Sequence, residues 1–290
     1  MLLRYLILGG AQLAVGAAAI FARYALTGAA PLAVAAARMC IAATALLALR
    51  AFDRKSERTS RGQRTILWCA GVALALHFAT WIASLDYTTV AISTLLVSAS
   101  PLWTALYDGL VRRRRFPLTV PLAFVAATLG LILITSSHHS APPYPGHATL
   151  GALLALLGSV AFAAYLLLVR EVRSVLRTRT IVLNTYTCAA IVLVLAAAVA
   201  HQGPPALHST TAWGGILAMA LVSQLLGHTG MNAALRWFSP SAVSFSTLLE
   251  PVIAAFLALL LFGEQLSGLA IAGAILLLGA IGLAIWTAPD

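Results

Sequence analysis

The sequence predicts an all-α polytopic membrane protein with ten transmembrane helices, arranged as two inverted repeats of five helices. Hydrophobic residues make up 61% of the 290-residue chain, charged residues make up only 9%, and the mean hydropathy is +0.96. A soluble domain of this size cannot bury so much apolar surface, so lipid must be its solvent. An internal repeat and the placement of the basic residues lead to the rest of the prediction.

Apolar stretches of about 20 residues, the length needed to cross a bilayer, give ten candidate helices. A secretory signal peptide is the alternative for the first stretch, because Arg4 precedes its apolar residues. The repeat favours a membrane helix there, since the first copy needs this helix to reach five. The predicted spans are 3–22, 31–50, 65–85, 88–110, 117–136, 149–169, 180–200, 211–234, 240–262 and 266–287.

The internal repeat links two similar segments, Leu85 to Pro101 and Leu235 to Pro251. They share a leucine, an aromatic residue two positions later, a middle rich in small and hydroxyl side chains, and a proline at the same distance. The copy length is about 150 residues. Because five helices are an odd number, the second copy must cross the membrane upside down. We assign 1–140 to the first repeat and 141–290 to the second.

Basic residues predict the orientation. They gather in alternate connections of the ten-helix arrangement, and only Arg23 lies near the other side. By the positive-inside rule, the basic connections and both termini are cytoplasmic. The net charge of +10 fits attraction to anionic lipid better than to nucleic acid, because these charges flank membrane spans and have no interleaved aromatic residues. The basic residues on the shared side are Arg4, Arg50, Arg54, Lys55, Arg58, Arg61, Arg64, Arg112, Arg113, Arg114, Arg115, Arg170, Arg173, Arg177, Arg179 and Arg236.

Two long segments, His77 to Pro101 and Ser241 to Leu266, together with Arg38 after an Ala-Pro pair, resemble the EamA-type exporters of the drug/metabolite transporter superfamily. The resemblance covers essentially the whole chain as two EamA-like halves. It implies a bacterial inner-membrane exporter of small metabolites with a central cavity between the halves, and it leaves the cargo open. The first half departs from the pattern, since Ser100 stands where the second half has a glutamate. The most specific matching residues are Glu250, Pro251, Gly263 and Glu264.

Polar side chains within the spans are candidate site residues, because each costs free energy unless it faces protein or water. Arg38 either snorkels to the interface or staples two helices, or else it lines the cavity and pairs with Glu250, Asp86 or an anionic substrate group. An uncompensated carboxylate is disfavoured in the membrane, so Glu250 is the candidate for proton coupling; its alternative is a hydrogen bond to a neighbouring helix. Pro101 and Pro251 are expected to kink their helices.

Helices three and eight carry matching polar stripes. His77 and Trp81 are one turn apart on the third, as are Gln224 and His228 on the eighth, so each set shares a face. We expect both faces to line the cavity; the alternatives are proton transfer by the histidines or simple packing. Tyr165 would add an aromatic ring. The predicted substrate cavity consists of Gln12, Arg38, His77, Trp81, Ser84, Thr94, Ser98, Tyr165, Gln224, His228, Asn232, Ser246, Thr247 and Glu250.

Together these features predict a secondary active transporter, not an enzyme, that works by alternating access. The family resemblance implies export of amino-acid-like or amphipathic metabolites, with proton exchange as the hypothesised driving force. One alternative is an exchanger of phosphorylated or nucleotide-sugar substrates, which would need several cavity cations where only Arg38 is available. The other is an intramembrane enzyme, which would need a positioned nucleophile and base. We expect a small-molecule substrate, protons and the lipid bilayer as partners, with no cofactor, metal or nucleic acid, and a monomer or homodimer.

Charge parity yields a testable topology. Reporter fusions after Arg61, after Arg114 and at Asp290 should all report the cytoplasm, and a fusion near Pro143 should report the outside. Activity of paired cytoplasmic and periplasmic reporters measures this. If Arg61 and Asp290 fall on opposite sides, the count of ten helices is wrong.

Overall fold

The computed structural model describes residues 2–52, 57–113, 118–136, 147–234, 237, 246–247 and 249–287. Every regular element in these residues is helical, as the sequence predicts. Seven of the described segments are long and apolar enough to cross a membrane, and the shorter apolar helices Pro121–Ile134, Leu249–Phe262 and Gly268–Leu283 occupy the places of the other predicted spans. Arg54, Lys55, Arg114, Arg115, Arg236 and the fusion points Pro143 and Asp290 lie outside the described residues.

The first half contains two membrane segments that are each built from two helices. α1 and α2 form the first segment, and α5 and α6 form the fourth. The break between α5 and α6 falls at Ser98 and Ala99, and Pro101 occupies the first turn of α6, where a missing N–H leaves no hydrogen bond unmade. The helices are α1 (Leu2–Gly16), α2 (Ala18–Ala25), α3 (Pro31–Phe52), α4 (Arg61–Ser84), α5 (Val90–Val97), α6 (Ser100–Leu110) and α7 (Thr119–Ser136).

The second half contains one segment with an irregular middle, in which a π-helix joins two α-helices. Its elements are α8 (Ala148–Val172), α9 (Thr178–Val199), α10 (Thr210–Ala218), the π-helix (Met219–His228), α11 (Thr229–Ala234), α12 (Leu249–Phe262) and α13 (Gly268–Thr287).

Pro251 lies in the first turn of α12, so Glu250 stands at the beginning of this described helix. A proline at position 251 cannot donate to the carbonyl of Thr247. That carbonyl instead accepts the N–H of Glu250 at 3.0 Å. The carbonyl of Thr247 therefore has a hydrogen-bond partner although Pro251 cannot supply one.

Helices pack in matching pairs across the two halves. α4 packs along α8, and the first segment packs along the eighth, which consists of α10, the π-helix and α11. In addition, α3 packs on α9, α5 packs on α12, and α7 packs on α13. Exchanging every segment with the one five places away leaves this set of pairs unchanged, which is the packing that two copies of one unit would give.

The chain reversals after the fourth and ninth segments also correspond. Gly263 follows α12 with φ of 66°, and Arg113 follows α6 with φ of 53°. These residues are 150 positions apart, the same offset as the two prolines. At Gly263 the N–H donates to the carbonyl of Leu259 at 3.1 Å, which is a left-handed helix cap. Glycine adopts this φ without steric penalty, and the cap places Glu264 directly beyond the helix.

Contacts between connections define two faces of the bundle. On one, which we call the basic face, the carboxylate of Glu57 accepts hydrogen bonds from the Thr180 hydroxyl at 2.7 Å and the Arg177 N–H at 3.1 Å. These two bonds, the Thr180 bond foremost, lower the pKa of Glu57. On the opposite face, the N–H of Ala206 donates to the carbonyl of Gly28 at 3.3 Å. Connections at the basic face therefore alternate along the chain with connections at the opposite face.

Candidate functional site

A cavity lies between the two halves. The first, third and fourth segments line it from the first half, and α8, the π-helix and α12 line it from the second. It contains about 580 Å³ of empty space, part of it open to solvent. The predicted second helix, α3, does not contribute to this lining. The polar, titratable and indole side chains that face the cavity are His77, Trp81, Thr94, Ser98, Ser100, His228, Thr247 and Glu250.

A second compartment of about 970 Å³ adjoins the first. The two compartments share the lining residues Ser100, Phe162, His228 and Thr247, so these side chains lie between them. Near the end of α8 at the basic face, the lining includes charged side chains. Besides the shared residues and Pro101, the polar, charged or aromatic residues of this lining are Thr104, Tyr165, Arg170, Arg173 and Asn232. The space therefore extends from the middle of the bundle toward the basic face.

Aromatic rings gather where the compartments meet. The rings of His77 and Trp81 are parallel within 3°, with centroids 6.1 Å apart. Phe162 lies 4.8 Å from His77 and stacks on Tyr165 at 5.7 Å, and its ring meets that of His228 edge to face at 6.0 Å. These flat surfaces suit an aromatic or amphipathic group, which gains from ring stacking as well as from burial.

His77 is oriented by a close contact between α4 and α8. Its Nδ1 lies 3.0 Å from the carbonyl oxygen of Gly158. Because a carbonyl only accepts hydrogen bonds, Nδ1 is the donor, and the neutral ring keeps Nε2 as an acceptor. A Cβ at position 158 would lie 3.1 Å from the Thr80 hydroxyl, so the glycine permits the helices to approach this closely.

Arg38 is fully buried, which rules out the snorkelling that the sequence left open. Its Nη2 donates to Oε1 of Gln224 at 2.6 Å. The guanidinium carbon lies 4.0 Å from the ring centre of Phe78 and 5.9 Å from that of Trp81, within cation–π range of both. Arg38 thus staples α3 to the π-helix from behind the ring of Phe78.

The predicted ion pairs of Arg38 with Glu250 and Asp86 are absent from the described part of the chain. The reason is that α3 packs on α9, so that Arg38 meets the π-helix instead of the cavity. Nε and Nη1 of Arg38 and Nε2 of Gln224 are buried without a hydrogen-bond partner. Trp81 Nε1 is unpartnered as well, which leaves a group of N–H donors suited to a hydrogen-bond acceptor.

The π-helix changes the polar stripe that we predicted on the eighth helix. Gln224 turns toward Arg38, whereas His228 lines both compartments. Asn232 donates to the carbonyl of His228 at 2.9 Å and faces the second compartment. These residues occupy the π-helix and the start of α11, and Gln224 and His228 differ in what they contact although they are four residues apart. Irregular turns of this kind are frequent at functional sites.

Gln12 and Ser84 bridge helices outside the cavity lining. Gln12 Nε2 donates to the hydroxyl of Ser246 at 2.8 Å and to the sulfur of Met231 at 3.2 Å. The Ser84 and Ser93 hydroxyls lie 2.6 Å apart and connect α4 to α5. Neither Gln12 nor Ser84 lines the cavity, because Gln12 Nε2 and the Ser84 hydroxyl are engaged by neighbouring helices, while Gln12 Oε1 is buried without a partner.

Glu250 is half-buried and faces the first compartment together with Thr94 and Ser98. Within the described residues its carboxylate has no ion-pair partner. Both hydroxyls are bonded to carbonyls within their own helix turns, Thr94 to Val90 and Ser98 to Thr94 at 2.8 Å each. Glu250 is consequently the acidic group of the first compartment in this part of the chain.

Sequence reasoning missed a polar cluster on the opposite face. Arg23 forms an ion pair with Glu264 at 2.8 Å and donates to the carbonyl of Leu85 at 2.7 Å. The other oxygen of Glu264 accepts the N–H of Val90 at 2.8 Å, so this residue does more than end a helix. Burial raises the pKa of nearby Asp86, and the charge of Arg23 opposes that shift. The signal for this cluster in the sequence was the presence of opposite charges at a face that otherwise carries few charged residues.

Helical segments around a cavity shared by two halves define a membrane protein of the transporter class. The family model described as the EamA-like transporter family matches this chain twice, over residues 3–136 and 149–286. The chain therefore belongs to the EamA-like transporter family, as its resemblance implied. A solved structure described only as "Crystal structure of protein" shares the fold, with a TM-score of 0.66 and 17% sequence identity over 97% of this chain and 96% of that one. The comparison with curated proteins found no match.

The position of Arg38 predicts that its shape matters as well as its charge. Arg38→Lys keeps the charge but loses the planar group that stacks on Phe78 while reaching Gln224, and Arg38→Gln loses both features. We expect either change to reduce substrate flux in proteoliposomes, although the variant protein reaches normal abundance in the membrane. Arg61→Gln, at the exposed start of α4, is the matched control. Undiminished flux in both Arg38 variants would limit Arg38 to holding helices together.

Proposed function

We propose that this protein is a secondary active transporter that exports small metabolites from the cytoplasm by alternating access. The observation that carries the proposal is a cavity walled by both halves of a chain that the same transporter family matches twice. A site at the interface of two repeats can be exposed to either side when the halves rock against each other.

Ten membrane segments in two inverted repeats account best for the helix pairing and the two faces. Arg23, in the last turn of the first segment, lies on the opposite face, whereas Arg170, in the last turn of the sixth, lies on the basic face. The sixth segment thus runs antiparallel to its counterpart, which is what inversion requires. We assign the basic face to the cytoplasm of a bacterial inner membrane by its charge.

The chemistry of the cavity favours amino-acid-like or amphipathic cargo. Trp81 offers its unpaired N–H to a hydrogen-bond acceptor, and the rings around Phe162 offer flat apolar surface. Arg38 adds positive potential from behind Phe78. A phosphorylated substrate would want several cations in contact with it, and the described lining of the first compartment contains none.

Proton exchange is the driving force that we propose, with Glu250 as the carrier. An ionised carboxylate is stable where water reaches the cavity and is disfavoured where the cavity closes around it. Proton uptake and release at Glu250 would then follow the alternation of access. Because Ser100 holds the corresponding position in the first half, the coupling site is expected in one half alone.

Reconstitution into proteoliposomes with a panel of labelled metabolites tests the proposed function. We expect uptake of at least one amino-acid-like or amphipathic compound without chemical conversion. Product analysis by mass spectrometry distinguishes transport from catalysis, since a converted compound would indicate an intramembrane enzyme. Uptake restricted to phosphorylated compounds in exchange for phosphate would replace export with the exchanger function.

Glu250→Gln tests the coupling residue. Glutamine has nearly the volume of glutamate but stays neutral, so substrate binding should survive and flux driven by a pH gradient should collapse. Binding is measured by thermal shift, and flux is measured with and without an imposed pH gradient. At low pH the wild-type protein should approach the behaviour of the variant, because protonation also neutralises Glu250.

Two controls accompany this variant. Glu57→Gln removes a carboxylate from a connection at the basic face and should leave gradient-driven flux intact. His77→Gln combined with His228→Gln examines the alternative proton carriers. Gradient-sensitive flux that persists in Glu250→Gln would transfer the proton site to these histidines, and its persistence in the histidine double variant as well would end the proton hypothesis.

A further inference from the structure

The ion pair on the opposite face joins three parts of the bundle. Arg23 at the end of α2 meets Glu264 just beyond α12, and its guanidinium also donates to the carbonyls of Leu85 and Thr88, at 2.7 and 3.4 Å. Glu264 accepts the N–H of Val90 at the start of α5. The two side chains are only 17% and 15% exposed. This contact ties the first half to the second at one end of the cavity.

A second ion pair ties the halves together at the basic face. Arg170 holds both carboxylate oxygens of Asp108, at 2.7 and 3.1 Å, so that the end of α8 is bound to α6. Arg112 lies 3.8 Å from Asp108 and also pairs with Glu171. Arg170 lines the second compartment of the cavity, which places this contact beside the route toward the basic face.

The two ion pairs occupy equivalent places in the two-part architecture. Each joins an arginine in the last turn of the first segment of one half to a carboxylate near the end of the fourth segment of the other half. Exchange of the halves converts one pair into the other. They lie on opposite faces, with the cavity between them. None of these four residues lines the first compartment, so their placement reflects the ends of the bundle and not its centre.

We propose that Arg23–Glu264 and Arg170–Asp108 are the two gates of the transport cycle, which open in turn. The inference rests on the proposed alternating-access function. Rocking the halves apart on one face separates the ion pair there and leaves the other intact. Ion pairs at partly exposed positions suit this role, since each is weak enough to break once per cycle, whereas charge-assisted hydrogen bonds restore a defined closed geometry.

The test measures access to the cavity instead of flux. Ser98, which lines the first compartment, is changed to cysteine after Cys40, Cys69 and Cys188 are replaced by alanine. A membrane-impermeant maleimide is applied from either side of proteoliposomes with known orientation. Wild-type, Arg23→Gln, Glu264→Gln, Arg170→Gln and Asp108→Asn proteins are compared, with Arg61→Gln as the control for loss of one arginine.

We expect Arg23→Gln and Glu264→Gln each to raise labelling from the opposite face by about fivefold relative to labelling from the basic face, as loss of one such contact shifts a two-state equilibrium. Arg170→Gln and Asp108→Asn should shift it the other way. The double variant Arg23→Gln with Glu264→Gln should shift labelling by less than the sum of the two single effects, because both substitutions remove the contact that Arg23 and Glu264 share. Arg61→Gln should change nothing.

Unchanged labelling in folded Arg23→Gln and Glu264→Gln proteins, or additive effects in their double variant, overturns the gate at that face. Thermal unfolding identifies folded variants, and Arg23→Lys, which keeps the charge, should retain most of the wild-type bias. Labelling needs no substrate. A protein that shifts its labelling as expected but carries no metabolite contradicts the transport function and not the gates, whereas flux with unchanged labelling contradicts the gates alone.

Discussion

Every polar group that enters the hydrocarbon layer must find its partner inside the bundle, and the structure of this protein depends on that constraint. Arg38 illustrates it best. Its charge has no access to water, so the side chain is held by the amide of Gln224 and by the face of Phe78. Such an arrangement leaves donors unpaired at the centre of the molecule. The bundle tolerates this arrangement because the cation–π contact and one short hydrogen bond compensate part of the desolvation cost of the guanidinium.

The same constraint explains why helix irregularities gather around the cavity. The break between α5 and α6, the π-helix and the first turn of α12 all contribute residues to its lining. Backbone that departs from the α-helix exposes polar groups, which lipid cannot satisfy and a cavity between helices can. The regular helices α7 and α13, by contrast, pack on each other through close glycine contacts and take no part in the cavity.

In this bundle of two matching halves, the middle and the ends carry different kinds of side chain. The middle offers aromatic rings, a carboxylate and hydroxyl groups, which can recognise cargo with both apolar and charged parts. The ends carry ion pairs between the halves. Because these pairs are partly exposed, the change from the bonded to the hydrated state costs little free energy. In the proposed function, recognition of the cargo and closure of the cavity therefore depend on different residues. Either set of residues can vary without a change in the other.

The sequence by itself determined the helical membrane class, the family and most of the polar residues that meet at the cavity. Hydropathy and a repeat of whole segments suffice for these, since both are properties of chain composition and order. Tertiary structure decided the direction in which each polar residue faces. Helical periodicity predicted one cavity-lining stripe for Gln224 and His228, but Gln224 contacts Arg38 while His228 lines the cavity. Arg38 faces the π-helix because α3 packs on α9, and the partnership of Arg23 with Glu264 joins residues 241 positions apart. Such contacts arise from packing between helices, which no local pattern in the chain encodes.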